Sequence, residues 1–232
     1  MKILIACEES QAVCKAFRAK GHEAYSCDIK PCSGGHPEWH IQDDVLNHLT
    51  PDYDMAICFP PCTHLANAGG VYFEKKRLSG EQKEAILFFK AMLAAPIARI
   101  AVENPVGIIS GTYINRHFPE IVADLKTVGL PRKPDQSIQP FYFGDPIRKY
   151  TGLWLKNLPP LVWTKQNDLF TESRYTPPLE TGRSFVRKGP YRTGTLRKLY
   201  WQDLVPKKDR AAIKSKTFPG IAAAMAEQWG NL

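Results

Sequence analysis

Two rhythms of apolar and polar residues alternate along the first 110 positions. Short apolar runs of strand type occupy Lys2–Cys7, His22–Ile29, Asp54–Phe59 and Ile97–Val102, with Ile41-Gln42-Asp43-Asp44-Val45 between the second and third of them. Between them come stretches with helical spacing, Ser10–Lys20 and Glu81–Ala95, the latter repeating Ile86, Phe89 and Leu93 on one face. Ser10 is placed to cap the first helix and Gly21 to end it. A Gly/Pro/Ser-rich loop fills 31–37. Strand and helix in alternation predict an α/β fold with a mainly parallel, doubly wound sheet. Ligands gather at the carboxyl ends of the strands in such sheets. Glu8, Glu9, Asp28, Asp44, Cys62 and Glu103 all fall at predicted strand ends.

Beyond residue 110 a helix is expected over 114–128, and strands over 137–143 and 152–155. From 158 to about 206, Pro, Gly, Arg and Thr dominate and periodicity disappears, which predicts a long irregular insertion. Residues 218–229 then form a closing helix. The expected organisation is a core over 1–160, a recognition segment over 161–208 and a returning helix over 209–232.

Composition sharpens this picture mainly through charge. The 232 residues carry a net charge of +8, and residues 161–210 hold 11 Lys/Arg against 5 Asp/Glu. Tyr175, Phe185, Tyr191, Tyr200 and Trp201 are interleaved with these cations. Charge plus flat side chains suits a nucleic acid, although a solvated basic loop has the same composition. Arg183, Arg187, Lys188, Arg192, Arg197 and Lys198 are the candidate contacts. No apolar run is long enough for a signal peptide or a membrane span, so a cytoplasmic protein without a membrane partner is expected. The six cysteines are then expected to be reduced thiols. Cys27, Cys32, His36 and His40 loosely imitate a zinc set but lack a tight Cys-x2-Cys pair, so no metal is expected.

Phe59-Pro60-Pro61-Cys62 is the most informative run. Two prolines directly after a strand enforce extended backbone and hold the next thiol at a fixed place on the sheet edge. Thiolate is a strong nucleophile, yet a cysteine beside a turn is equally a small core residue. Glu103-Asn104-Pro105, at the end of the next strand, adds a carboxylate close by.

Together, these two motifs resemble the cytosine C5 DNA methyltransferase family, whose signatures are a Pro-Cys loop and a Glu-Asn dipeptide. The likeness follows the family's order along most of the chain and is nearest to its small, compact phage and prophage branch. It implies a Rossmann-like class I methyltransferase fold using S-adenosylmethionine. Cys62 would add to cytosine C6, Glu103 would hydrogen-bond at N3 and the exocyclic amine, and Asn104 would fix the loop. Arg148 or Lys149 would approach the base or its phosphate. Cys7, Glu8 and Ser10 stand in the first cofactor loop, Asp28 and Ile29 at the ribose, and Asp44 and Val45 near the adenine. Pro60, Gly220 and Ile221 would complete the cofactor pocket.

The chain departs from the pattern in three places. The first loop, Glu8-Glu9-Ser10-Gln11, has no glycine; a Gln-x-Arg-x-Arg segment is not clearly present; and the recognition segment is short. DNA is the expected partner and a monomer the expected state, with room for an accessory partner in target recognition. Alternatives are the same fold acting on RNA, a free cytosine nucleotide or a different transferred group, or an inactive nucleic-acid-binding relative.

Overall fold

The computed structural model describes residues 1–163, 174, 176, 180–187, 194–200, 206 and 216–232, with 181–187 and 194–200 as backbone. By contact density the chain divides into two units. One comprises Met1–Ile138, Tyr150–Val162 and Ala222–Leu232; the other comprises Gln139–Lys149 and Trp163–Ile221.

The first unit is built on a seven-stranded sheet of β1 (Lys2–Ala6), β2 (Glu23–Asp28), β3 (His40–Gln42), β4 (Met55–Cys58), β5 (Arg99–Pro105), β6 (Gln136–Ile138) and β7 (Thr151–Lys156). Their spatial order is β3-β2-β1-β4-β5-β7-β6. β1 to β5 run parallel, and β7 runs antiparallel between β5 and β6. With its flanking helices, this is the mainly parallel, Rossmann-like α/β arrangement that the sequence leads one to expect. β4 is buried at all four positions, as a central strand covered on both faces must be.

Helices α1 (Ala12–Arg18), α2 (Phe73–Leu78), α3 (Glu81–Ala94), α4 (Tyr113–His117), α5 (Pro119–Lys126) and α6 (Pro219–Trp229) complete the described regular elements, beside several short 3-10 turns. α3 buries Gln82, Ile86, Phe89 and Leu93, one face of a helix. Phe89 meets Trp154 of β7 edge to face, with ring centroids 5.1 Å apart. None of the described helices is long and apolar enough to cross a membrane.

Four sequence expectations change. The helix over 114–128 breaks at Phe118-Pro119, because proline lacks the amide that a continuing helix needs and suits the first turn of a new one. Residues 137–143 split into β6 and a 3-10 turn at Pro140–Phe143. β5 runs on through Glu103-Asn104-Pro105, three residues past the strand expected to close at Val102.

The fourth change concerns the segment expected to be irregular, which contains an antiparallel pair, β8 (Glu180–Arg187) and β9 (Gly194–Tyr200). Phe185 is in register with Leu196 and Val186 with Thr195, pairings of β-forming residue types that the surrounding Gly and Arg mask in a simple periodicity search. Elsewhere in the second unit, Tyr142 and Trp163 stack with centroids 3.7 Å apart, and Thr176 N–H donates to Phe141 C=O at 2.9 Å.

Candidate active site

Parallel pairing brings the ends of β1 to β5 to one edge of the sheet. Ala6 is in register with both Cys27 and Cys58, and Cys58 with Val102. The next residues of each strand therefore emerge side by side, and Cys7, Glu8, Ser10, Asp28, Ile29, Asp44, Val45, Pro60, Cys62, Glu103 and Asn104 belong to this edge.

The thiol side is stitched across two chain segments. Asn104, almost fully buried, donates from Nδ2 to Pro60 C=O at 3.1 Å. Past Cys62 the chain turns through a 3-10 segment (Cys62–His64), and Ala66 pairs with Gly107 in an antiparallel bridge. Asn67 N–H donates to Val106 C=O at 3.0 Å, and Ile108 N–H to Leu65 C=O at 2.9 Å. A Cβ on Gly107 would meet Leu65 O at 2.0 Å, so this approach requires glycine. The Pro-Pro-Cys loop and the Glu-Asn-Pro strand end are thus one mechanical unit.

Glu103, half-buried, accepts a hydrogen bond at Oε1 from the Thr151 hydroxyl at 2.6 Å. Sequence reasoning missed Thr151; nothing marks it before β7 is known to pair with β5.

Burial separates the cysteines. Cys62 is the exposed one of the six. Burial pushes the Cys58 and Cys27 thiols up to about 12 and Cys14 up to about 11; it raises Cys7 too, with Cys58 and Asp28 adding to the effect. Cys32 donates to Gln11 Oε1. A thiol so raised stays protonated near neutrality and is a poor nucleophile.

On the other side of the edge, the glycine-free first loop adopts the conformations glycine would otherwise supply. Cys7 (φ 59°) and Gln11 (φ 56°) are both left-handed, a costly state for residues with a Cβ. Gln11 is fully buried: Nε2 donates to His36 C=O (2.7 Å) and Ser26 Oγ (3.3 Å), and Oε1 accepts from His36 N–H (3.0 Å). This network ties the first loop to the 31–37 loop.

Glu8 is buried, and both its oxygens accept main-chain N–H bonds at the start of α1, from Val13 (2.7 Å) and Cys14 (3.1 Å). Ser10, expected to cap α1, does not; Gln11 takes the cap position without a side-chain cap bond. Burial raises the Glu8 carboxyl to about 7 against the lowering effect of those two amides. Its observed work is to hold the loop on the helix.

Asp28 accepts from Lys30 N–H (2.9 Å) and Asp44 from Leu46 N–H (3.0 Å). Each carboxylate stands beside an exposed aliphatic side chain, Ile29 (72% exposed) and Leu46 (45%). Val45, assigned to the adenine from sequence, is in the core; Leu46 is the exposed neighbour, which only burial could reveal. The four residues of zinc-like spacing go to separate partners: Cys27 to Asp43 C=O, Cys32 to Gln11, His36 stacked on Trp39, and His40 to Ser26.

The remaining candidates belong to the second unit or lie outside the described residues. Arg148 and Lys149 belong to the second unit. Gly220 does too: its N–H donates to Asp145 Oδ2 (2.8 Å), and a Cβ there would meet Phe143 O at 2.0 Å, while Ile221 is buried. Arg183 and Arg187 are on β8, and Arg197 and Lys198 on β9, with Arg183 in register with Lys198 and Ser184 with Arg197. Lys188 and Arg192 lie outside the described residues.

No protein family and no curated protein matches the sequence. Among solved structures, the chain is similar to a protein described as a candidate DNA modification methyltransferase encoded within an E. coli prophage. The TM-score is 0.43 at 14% identity, covering 82% of this chain and 62% of that one, so this chain spans less than two thirds of that protein's length.

Proposed function

We propose that this protein methylates cytosine C5 in DNA, with Cys62 as covalent nucleophile and S-adenosylmethionine as methyl donor. The carrying observation is the joined pair of segments: an exposed thiol just past β4 and a carboxylate at the end of the neighbouring parallel strand β5, with the two segments tied through Asn104 and the Ala66–Gly107 bridge. A binding protein needs neither the exposed thiol nor the tie between its loop and the strand end that bears Glu103.

The cofactor fits what the β1 to β3 ends offer. Exposed Ile29 and Leu46 beside Asp28 and Asp44 provide apolar cover next to hydrogen-bond acceptors, the pairing that an adenosyl group with ribose hydroxyls and an amino group requires. When bound, S-adenosylmethionine supplies an activated methyl group on a sulfonium sulfur.

Cytosine C5 is too weak a nucleophile alone. The Cys62 thiolate forms a bond to C6 while a proton passes from the Glu103 carboxyl to ring N3, which leaves an enamine with electron density on C5. After C5 has accepted the methyl group and released its proton to solvent, the Cys62–C6 bond breaks and the C5–C6 double bond returns. N3 gives its proton back to Glu103. A base within a duplex must first leave the stack, at a cost of a few kcal/mol. The cations on β8 and β9 are the proposed phosphate contacts that offset this cost.

DNA containing 5-fluorocytosine tests the reading, because fluorine at C5 cannot leave as a proton. With S-adenosylmethionine, the wild type should form an adduct stable to denaturing electrophoresis, and Cys62→Ser none. An adduct of undiminished yield in the variant removes Cys62 from the mechanism.

A further inference from the structure

The register of β5 against β7 places Leu153 opposite Glu103 and Thr151 opposite Pro105. Thr151 is thus the diagonal neighbour of Glu103 on one face of an antiparallel pair, within reach of a side-chain contact. A β-branched residue on a strand has few rotamers, and Thr151 is 2% exposed, so its hydroxyl is delivered to one place. That place is Glu103 Oε1, at 2.6 Å.

From this we infer that Thr151 is a positioning residue: its hydroxyl fixes Glu103 Oε1 as an accepting oxygen and so sets which way round the carboxyl meets the target base. The inference deepens the cytosine reading and rests on it. The base edge offers an amine that needs an acceptor and, beside it, a ring nitrogen that needs a donor. A protonated carboxyl satisfies both only if its two oxygens keep distinct roles. An oxygen already accepting from Thr151 retains a lone pair for the amine, so that with the base bound the proton shared with ring N3 belongs to the other oxygen. In thymine the order of donor and acceptor is reversed, so the same polarity also disfavours that base. The side chain touches Glu103 rather than substrate, so its effect is on the rate of the step that Glu103 serves.

The test is the single-turnover rate of adduct formation on 5-fluorocytosine DNA with S-adenosylmethionine, for wild type, Thr151→Val and Thr151→Ser. Valine keeps the shape and removes the hydroxyl; serine keeps the hydroxyl and removes the methyl. Thr151→Val should slow adduct formation about 10–100-fold, the lower range for a displaced general acid, with cofactor affinity unchanged within about twofold. Thr151→Ser should recover to within about threefold of wild type.

A folded valine variant as fast as wild type would overturn the inference. So would a folded serine variant as slow as valine, because packing of the methyl group would then be what matters. Should the valine variant fail to fold, the serine rate decides alone. A wild type that forms no adduct at all would count instead against the cytosine reading, so the two failures are distinguishable.

Discussion

At the ends of β4 and β5 the chain is held by neutral groups: the Asn104 amide on Pro60 C=O, a short β-bridge, and a glycine whose missing side chain lets two backbones touch. At the ends of β1 and β2 the same task falls to a buried carboxylate, a buried glutamine and two left-handed residues with side chains. Those three contacts carry no titrating group and no left-handed backbone. The second half stores strain and charge in a loop beside the acidic and aliphatic residues proposed to take the cofactor. One edge of one sheet thus combines a fixed reacting half with a ligand half whose stability depends on conditions. Strained backbone beside an expected ligand is where strain commonly concentrates.

The largest expected effect comes from breaking the fixed half. Gly107→Ala places a methyl group 2.0 Å from Leu65 O, a backbone atom that cannot move without moving the chain that bears Cys62. Adduct formation with 5-fluorocytosine DNA should fall by about 100-fold or more, and stability by about 1–3 kcal/mol, the usual cost of overpacking. Denaturant titration and the adduct assay read the two effects separately. Retention of full adduct rate would mean that the two motifs do not depend on each other.

A smaller effect sharpens the contrast through pH. Glu8 is raised to about 7 in the fold, whereas its ordinary value is 4.5. Between these values the folded chain keeps a proton that the unfolded chain has lost, so stability falls as pH rises through the window and levels off above 7. Glu8→Gln removes this titration. The stability of wild type relative to Glu8→Gln should therefore decline by about 2 kcal/mol from pH 5 to pH 8, as read from urea midpoints. A constant difference would mean that the α1 amides keep Glu8 ionised throughout.

The two halves also differ in how far the sequence exposes them. Pro60-Pro61-Cys62 and Glu103-Asn104-Pro105 are legible because proline constrains the backbone locally and the strand pattern places both at sheet ends. Sheet type, six of the first seven strands and the closing helix follow from the same periodicity. Thr151 was not legible, since its contact exists only through the register of an antiparallel strand almost 50 residues away in sequence. Leu46 carries no mark in the sequence either: it and the buried Val45 are adjacent apolar residues that look alike until their burial is known. The missing glycines gave the opposite lesson. Their absence from Glu8-Glu9-Ser10-Gln11 looked like a departure, yet the chain adopts left-handed turns at Cys7 and Gln11 regardless. Side-chain networks compensate there, and such networks have no sequence period.

The finest test asks whether the halves can be separated at all. Asp28→Asn keeps the shape of the side chain and its contact with Lys30 N–H, but withdraws the charge proposed to hold ribose hydroxyls. Hydrogen bonds to a charged group are worth roughly twice those to a neutral one, so affinity for S-adenosylmethionine should fall about tenfold, or about 1.4 kcal/mol, in calorimetry. With cofactor raised to saturation, the rate of adduct formation should return to within about twofold of wild type, because among the described residues the hydrogen bond of the Asp28 carboxylate goes to Lys30 N–H, on the β2 side of the edge. An affinity unchanged by the substitution would remove Asp28 from the cofactor site. A rate that stays low at saturation would show that the ligand half positions the reacting half, and the division drawn between the two ends of this sheet edge would have to be abandoned.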